Sequence, residues 1–386
     1  MKKKTLVKKK FVYVDYIGCE KRKLDSQRII NYFLINKYEL TENLKISDII
    51  VIITCAFNKE FEDLSIKKIN QLYNSRKSNS KIIISGCLPS INRKKFEEYK
   101  DLILIPILDI NRFDEITHFK IKLNEIKDPN TTIFDKRKYC DKDINIYYTN
   151  ARKLYEEAKR GFKIRICYGC LGNCSYCVTQ LATGKLKSKS LEKIKEEFIL
   201  GLKMNYSTFF LTGGDTGAYG IDRESSVCEL FSELLKIQGN YKFFLHDFGI
   251  HWLIKYRDQI IPIIKEHEEK FEIINFPIQS VSNKVLKLMR RPYLIQNAIK
   301  SLKELKHEIP NLTLGTHIII GFPGENENDF QDTLEFVETN YFDFIIFYKY
   351  SDHTLADSYN LPNKNSKEII DTRYNRILEK YINLAQ

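Results

Sequence analysis

Apolar, β-branched runs alternate with helix-like segments along most of this chain, and the alternation restricts the fold more than any other feature. In the first third the runs are FVYVDYIG (11–18), ISDIIVIIT (46–54) and KIIISG (81–86), with LILIPILD (102–109) as a candidate fourth. Between them, segments 24–38 and 61–77 place apolar residues near i, i+3 and i+4, as helices do. Strands that alternate with helices form βαβ units, so the pattern predicts an α/β domain with a doubly wound parallel sheet.

The same alternation resumes after residue 160. Six strand-like runs cover 162–167, 207–213, 242–248, 271–278, 312–321 and 342–350. Six β/α units predict a partial (β/α)6 barrel, with functional residues at the carboxyl ends of its strands. Because residues 126–160 are polar and turn-rich, we expect them to connect the two domains. The expected domains are therefore 1–125 and 161–360, followed by a final helix within 361–386.

Charge and cysteine content restrict the class of protein. The chain carries a net charge of +12, but 47 of its 62 basic residues are lysines. Surfaces that bind phosphates favour arginine, so the charge alone leaves nucleic-acid binding open. Nine cysteines without a secretory signal argue against a disulfide scaffold, and no run approaches the length of a membrane span. We expect a reduced, cytoplasmic protein whose cysteines have another purpose.

The densest cysteine cluster is CYGCLGNCSYC, which directly follows the first strand of the second half. Only three residues separate its two pairs, which is cramped for a zinc site and suits an iron–sulfur cluster better. Its C-x3-C-x2-C portion, Cys170, Cys174 and Cys177, resembles the signature of radical S-adenosylmethionine (SAM) enzymes. In those enzymes the three cysteines bind three irons of a [4Fe–4S] cluster, and the fourth iron binds SAM. Cys167 is interpreted as a packed thiol.

Two glycine motifs follow strands of the same predicted barrel. LTGGDTG contains Gly213, Gly214 and Asp215, and GFPGE contains Gly321, Phe322, Pro323 and Gly324. Either motif alone would be read as a turn, although backbone can approach a ligand closely at glycine. In radical-SAM enzymes the first segment meets the amino group of SAM and the second lies beside its adenosyl group. The two motifs are therefore predicted to bind the cofactor.

Three more cysteines follow the three apolar runs of the first third. Cys19, Cys55 and Cys87 occur in YIGC, IITC and ISGC, at intervals of 36 and 32 residues. Ligands of open parallel sheets bind at the carboxyl ends of strands, so the three thiols could converge on one metal site. The alternative is that each is a small buried hydrophobe. Cys140 and Cys228 have no such position and are predicted to be structural.

Together these motifs resemble the methylthiotransferase family of radical-SAM enzymes over about residues 10–350. GC-x5-DS at Cys19, TC at Cys55 and GC at Cys87 match the first domain of that family. The catalytic domain is matched by GCLGNCSYC, GKLKS, LTGGDTGAYG, FPIQSVSNKVL with Gln279, and THIIIGFPGENENDF. DTGAYG and CLGNCSYC look most like the archaeal and eukaryotic branch, which acts on threonylcarbamoyladenosine in tRNA.

The resemblance implies conversion of an unactivated C–H bond to C–S–CH3. One [4Fe–4S] cluster, on Cys170, Cys174 and Cys177, would cleave SAM, and an auxiliary [4Fe–4S] cluster on Cys19, Cys55 and Cys87 would supply sulfur. Gln279 joins the residues expected to bind SAM. An electron donor such as flavodoxin or ferredoxin and a sulfur donor are the implied partners of a monomer. Cofactors carry this radical chemistry, so the histidines are interpreted as surface or packing groups.

Departures from the family pattern suggest a different substrate. We expect the RNA-contacting TRAM domain of the relatives to be missing. Segment 350–358 reads YSDHTLADS without the expected arginine and glycine, and Thr183 and Arg22 replace an expected arginine and asparagine. The preferred substrate is a peptide or protein side chain, for instance in a ribosomally made precursor peptide. The alternatives are methylthiolation of tRNA and a non-catalytic iron–sulfur or zinc protein.

Overall fold

The computed structural model describes residues 9–136 and 150–385, which divide into two compact units. The first unit contains the described residues through Phe134 together with Val178–Gly184, and the second contains the rest. No helix in these described ranges is long and apolar enough to cross a membrane.

The first unit is built on a five-stranded parallel sheet, as the alternation of runs predicts. Its strands are β1 (Lys10–Tyr16), β2 (Tyr38–Leu40), β3 (Ile49–Thr54), β4 (Lys81–Gly86) and β5 (Leu102–Pro106), in the order β2-β1-β3-β4-β5. The sequence of β3, IIVIIT, is buried throughout. Continuous apolar runs of this kind occur in parallel strands whose two faces are both covered.

Helices connect these strands. They are α1 (Glu20–Ile35), α2 (Lys59–Ser75), α3 (Leu88–Ile91) and α4 (Arg112–Thr117), with short 3-10 turns at Arg93–Phe96, Ile107–Asp109, Leu123–Glu125 and Ile133–Lys136. Helix α1 ends earlier than the periodicity predicts. Lys37 adopts a left-handed φ of 70° that breaks the helix, and the short strand β2 follows, which the sequence prediction missed.

The second unit contains a six-stranded parallel sheet in sequential order. Its strands are β6 (Phe162–Arg165), β9 (Thr208–Thr212), β10 (Lys242–Leu245), β11 (Phe271–Asn275), β12 (Thr313–Ile320) and β13 (Phe344–Lys349), and a small antiparallel pair is formed by β7 (Cys167–Tyr168) and β8 (Lys187–Ser188). All neighbours in the large sheet pair parallel. The predicted fold class, a doubly wound parallel sheet followed by a partial barrel, is confirmed.

One helix precedes the first strand of this sheet, and further helices follow its strands. They are α5 (Asn150–Ala158), α7 (Leu191–Lys203), α8 (Val227–Leu235), α9 (Ile250–Glu266), α10 (Asn283–Leu288), α11 (Ile295–Glu308), α12 (Glu327–Phe336) and α13 (Lys367–Ala385); α6 (Thr179–Thr183) belongs to the first unit and packs against α3. Short 3-10 turns lie at Thr216–Ala218, Ile221–Arg223, Glu268–Lys270, Val337–Thr339 and Asp357–Asn360. Ser190, Ser226 and Ser282 cap helix N-termini with their side chains, which explains why the helices begin there.

The two faces of the second sheet are covered differently. One face carries Phe209, Leu211 and Phe243 and packs into the large core formed with the outer helices. The opposite, inner face carries Phe210 and Phe344, which pack against Tyr155 of α5. Helix α5 lies within the segment expected to be a plain connection, so part of that segment covers the inner face instead.

Candidate metal centres and cofactor site

Sheet order brings the first three predicted ligands to one edge. Cys19 caps α1 just after β1, Cys55 directly follows β3, and Cys87 caps α3 directly after β4. Strands β1, β3 and β4 are immediate neighbours and run parallel. The carboxyl ends of parallel neighbours meet at one edge, so three positions far apart in sequence become neighbours there.

Backbone contacts hold this edge in place. The Cys87 N–H donates to the Thr54 carbonyl at 2.9 Å, and the Cys55 N–H donates to Ser65 Oγ at 3.2 Å. Gly86 has a φ of +98°, and a Cβ there would lie 2.3 Å from the Thr54 carbonyl oxygen. Glycine is therefore required between the strand and its cysteine.

The three thiols share one electrostatic environment. Burial raises the pKa of Cys55, and the neighbouring Cys87 and Cys19 raise it further. Burial also raises the pKa of Cys87, while the charge of Arg22 opposes that rise. Without a metal these two buried thiols are therefore protonated, and metal binding must displace their protons.

The second set of cysteines lies in one loop between β7 and α6. Cys170, Cys174 and Cys177 are all half-buried. The Gly172 N–H donates to Cys170 Sγ at 3.2 Å, and Arg291 Nη1 donates to Cys174 Sγ at 3.6 Å. Burial raises the pKa of Cys170 to about 12, with the charge of Asp215 as the next contribution. The loop thus already directs two donors at its sulfurs.

The predicted Gly-Gly motif packs directly against this cysteine loop. A Cβ at Gly214 would lie 1.9 Å from the Gly169 carbonyl oxygen, and one at Gly213 would lie 2.4 Å from Cys167 Sγ. Neither position can carry a side chain without moving the loop. The prediction that Cys167 is a packed thiol agrees with its 1% exposure.

The Asp215 carboxylate accepts three hydrogen bonds from other residues of the chain. It accepts hydrogen bonds from the Gly217 N–H at 3.2 Å, the Gly249 N–H at 3.0 Å and Trp252 Nε1 at 2.7 Å. These bonds tie the turn after β9 to the start of α9. Contact between Asp215 and SAM stays a prediction, while the positioning of the turn is visible directly.

Gln279 follows β11 and has a left-handed φ of 70°, which is uncommon for a non-glycine residue. Its N–H donates to the His317 carbonyl at 2.8 Å, and its own carbonyl accepts from the Ile319 N–H at 2.9 Å. Among the described residues, its buried Oε1 has no hydrogen-bond partner, and the same holds for Asn275 Nδ2 and Oδ1 and for His317 Nε2. Buried polar atoms without protein partners are what a site for a polar ligand provides.

The second glycine motif forms a tight turn after β12. Gly321 and Gly324 have φ values of +83° and +87°, and Pro323 lies between them. The Phe322 ring is fully buried, 6.3 Å from the Tyr176 ring of the cysteine loop. The predicted SAM-binding turn therefore contacts the loop that carries Cys174 and Cys177.

Two histidines, His251 and His317, contact aromatic rings, which is compatible with the packing role predicted for them, and His246 has polar neighbours. Tyr155 hydrogen-bonds to His246 Nδ1, and His246 Nε2 lies 3.1 Å from Asp247 Oδ2. Burial lowers the pKa values of His251 and His317 to about 3.

Cys228 is buried in α8 within the core of the second unit, which is compatible with its predicted structural role. Cys140 and the basic stretch before residue 9 lie outside the described residues.

The donor chemistry of both sets fits an iron–sulfur cluster. Within residues 9–136 and 150–385, no three cysteine, histidine, aspartate or glutamate side chains converge tightly enough to hold one metal ion. A [4Fe–4S] cluster does not need that convergence, because each cysteine binds a different iron. Thiolates are the ligands that such clusters prefer.

Comparison with known proteins supports the same chemistry. Residues 164–337 match the radical SAM superfamily, and residues 11–105 match uncharacterized protein family UPF0004. A probable threonylcarbamoyladenosine tRNA methylthiotransferase of Methanocaldococcus jannaschii is 30% identical over 373 residues, covering 96% of this chain and 82% of that protein. The ribosomal protein uS12 methylthiotransferase RimO of Clostridium novyi is 30% identical over 383 residues, covering 96% and 81%. The chain belongs to the radical-SAM methylthiotransferase family.

As a radical-SAM methylthiotransferase, the chain is an enzyme that inserts sulfur as a methylthio group and uses SAM and [4Fe–4S] clusters. Solved structures show the likeness of fold alone. The radical SAM methyltransferase TsrM of Kitasatospora setae superposes with a TM-score of 0.57 at 9% identity, covering 89% of this chain and 75% of that one. The cobalamin-dependent S-adenosylmethionine radical enzyme OxsB superposes with a TM-score of 0.54 at 14% identity, covering 97% of this chain and 56% of that one.

Proposed function

We propose that this methylthiotransferase modifies an unactivated carbon of a peptide or protein side chain. Cys170, Cys174 and Cys177 would hold the cluster that binds SAM, and Cys19, Cys55 and Cys87 would hold an auxiliary cluster. The two-cluster chemistry rests on the presence of two cysteine sets, one at the carboxyl edge of each parallel sheet, and the choice of a peptide rests on the surface beside the cysteine loop. A zinc protein or a single-cluster protein would not need both cysteine sets.

The clusters supply electron transfer, SAM cleavage and sulfur when bound, and the chain supplies position and shielding. Gly213 and Gly214 let backbone approach the cysteine loop, because no side chain fits there. Arg291 donates to Cys174 Sγ and, through Nη2, to the Pro277 carbonyl at 2.7 Å, so it fixes one ligand relative to the loop after β11. A one-electron donor such as flavodoxin or ferredoxin and a sulfur donor complete the proposed system, in the reducing cytoplasm.

The surface beside the cysteine loop supports a peptide substrate. The Ser358 N–H donates to the Ser175 carbonyl at 2.8 Å, so segment 350–358 adjoins the loop. Cations of this surface face carboxylates: Lys349 pairs with Asp371, Lys364 with Asp352, and Arg290 with Asp357. Leu355 is 51% exposed and Tyr359 is 39% exposed. Binding of a phosphate backbone relies on available basic groups, whereas exposed apolar and aromatic groups suit a peptide.

A second candidate, modification of tRNA, is favoured by the distribution of charge. Residues 1–160 contain 34 basic and 22 acidic side chains, whereas residues 161–386 contain 28 of each. The whole excess of positive charge therefore lies in the first part of the chain. A relative from Pyrococcus horikoshii, 29% identical over 328 residues, is named as a probable threonylcarbamoyladenosine tRNA methylthiotransferase.

One experiment separates the two substrates. Anaerobically reconstituted enzyme is incubated with SAM and dithionite, together with ribosomal protein uS12, peptides encoded beside its gene, or total tRNA. We expect a gain of about 46 mass units on a peptide or protein, and about 32 if only sulfur is added. A gain on tRNA, or tRNA binding that weakens steeply with salt, would instead establish the RNA substrate.

A further inference from the structure

The C-terminal helix contacts the predicted SAM-binding turn through a buried ion pair. Arg373 of α13 is 6% exposed and Glu325 is 5% exposed. Arg373 Nη1 donates to Glu325 Oε1 at 3.0 Å and to the Glu325 carbonyl at 3.2 Å. The same Glu325 oxygen accepts from the Gly321 N–H at 3.0 Å. Arg373 is therefore linked to both ends of the turn 321–325.

The residues just before α13 bind the remaining backbone of that turn. Asn365 Nδ2 donates to the carbonyls of Phe322 and Glu325, each at 3.1 Å. The Gly324 N–H donates to the Asn363 carbonyl at 2.9 Å. A Cβ at Gly321 would lie 2.4 Å from Ile370 Cγ1, so α13 also packs against the turn without a gap.

The turn of residues 321–325 also contacts the cysteine loop. The Phe322 ring lies 6.3 Å from Tyr176 and 5.3 Å from Tyr350, both in edge-to-face geometry. Tyr176 is between two of the predicted cluster ligands in sequence. Displacement of the Phe322 carbonyl would therefore move an aromatic contact of the loop that carries the ligands.

A buried ion pair such as Arg373–Glu325 contributes little net free energy to folding, because both charges lose their hydration. Removing two charges from water cancels much of their attraction, so a buried pair is weak evidence for a purely stabilising role. Burial raises the pKa of Glu325 to about 7, with the Gly321 N–H and Arg373 opposing the rise and Asp329 adding to it. The ionised carboxylate thus depends on its partners. We therefore interpret the contacts among Arg373, Glu325 and Gly321 as fixing the backbone conformation of residues 321–325.

We propose that Arg373 and Asn365 are positioning residues for SAM: they fix the backbone of residues 321–325 against the cysteine loop, so that SAM affinity depends on them. The inference rests on the proposed function, since it takes the turn as part of the SAM site. Because neither residue touches the cysteines, cluster assembly should be independent of them.

The test compares two arginines of the same helix. Arg373→Met removes the contacts to the turn, whereas Arg376→Met is the matched control. Arg376 pairs with Glu327 and lies over Phe330, as Arg373 also does, but within the described part of the chain it has no hydrogen bond or ion pair to residues 321–325. Labelled SAM binding, iron content, melting temperature and the rate of 5′-deoxyadenosine formation are measured for each reconstituted protein.

For Arg373→Met we expect the Kd and KM for SAM to rise about tenfold or more, with kcat within about twofold. Iron content should match the control. Arg373→Lys should regain part of the affinity, because lysine keeps the charge but not the planar fork. Equal SAM affinity in the Arg373→Met and Arg376→Met proteins would overturn the proposal.

If the Arg373→Met protein binds less iron or has a lower melting temperature, its SAM affinity no longer tests the proposal by itself. The Asn365→Ala variant then provides the test, because Asn365 lies in the loop before α13. Unchanged SAM affinity in that variant overturns the proposal, and weakened affinity with full iron supports it. A wild-type enzyme that binds SAM but modifies no peptide would refute the proposed substrate and leave the positioning role intact. A wild-type enzyme that fails to bind SAM would refute both.

Discussion

The two cysteine sets reach the same kind of site by opposite routes. Cys170, Cys174 and Cys177 lie within eight residues of one loop, so the chain places them together before any sheet forms. Cys19, Cys55 and Cys87 are separated by 36 and 32 residues and meet only because β1, β3 and β4 are neighbours. The first unit therefore forms its site through tertiary pairing, and the second through local sequence.

The surroundings of the two sets differ accordingly. Cys55 and Cys87 are buried at the sheet edge, where the Cys87 N–H donates to the Thr54 carbonyl of the neighbouring strand and the Cys55 N–H donates to Ser65 Oγ of α2. The loop cysteines are half-buried, and side chains from elsewhere, such as Arg291, reach them. We therefore expect the first site to be sensitive to the register of its sheet, and the second to the residues that contact its loop.

The largest expected effects come from removing one predicted ligand of each set. Cys170→Ala should abolish SAM cleavage, whereas Cys55→Ala should keep SAM cleavage and abolish sulfur insertion. Each variant should hold about four irons per chain instead of about eight, because each loses one [4Fe–4S] cluster. Iron analysis, 5′-deoxyadenosine and product mass are measured. Cys228→Ala is the control and should keep both clusters, and sulfur insertion by Cys55→Ala would refute the role of the first set.

A matched pair of glycine substitutions tests the dependence on sheet geometry. Gly86→Ala forces a Cβ to 2.3 Å from a backbone oxygen at a φ of +98°, so we expect a loss of about 3 kcal/mol or more in the first unit. Gly172→Ala places a Cβ 3.3 Å from Cys170 Sγ and should cost less than about 1 kcal/mol. Hydrogen exchange of each unit in cluster-free protein measures the difference. Similar losses of unfolding free energy in Gly86→Ala and Gly172→Ala would contradict the expected difference between the two cysteine sites.

The smallest expected effect is a pH dependence confined to the second unit. Burial lowers the pKa of His317 to about 3, with His246, Arg152 and Lys159 lowering it further and Asp247 opposing. The folded state keeps this histidine neutral, whereas the unfolded state binds a proton at its imidazole below about pH 6.5. The free energy of unfolding therefore decreases as the pH falls below that value.

Fluorescence of Trp252, the only tryptophan, reports unfolding of the second unit. From pH 6.5 to 5, the wild type should lose about 1–2 kcal/mol of stability relative to His317→Gln. His118→Gln, at an exposed position of the first unit, should follow the wild type. A pH-independent difference between wild type and His317→Gln would show that this histidine is not held neutral.

Much of the fold was readable from the sequence because its signals are local. The apolar run of β3 and the capping serines of the helices are fixed by neighbouring residues, and both parallel sheets were predicted correctly. The short strand β2 and helix α5 were missed. Three residues of edge strand carry almost no periodicity, and α5 owes its place to contacts of Tyr155 with distant strands.

For the candidate sites, the types of predicted ligand and the local loop of Cys170, Cys174 and Cys177 could be read from the residues alone. Their assignment as cluster ligands stays a prediction. Three features became visible only in the folded chain: Arg291 donates to Cys174, Asn275 and His317 have buried polar atoms, and Arg373 contacts Glu325. Each of these depends on segments separated by tens of residues or more. Spacing along the chain encodes what one loop can bind, but the packing of strands and helices decides which side chains surround it.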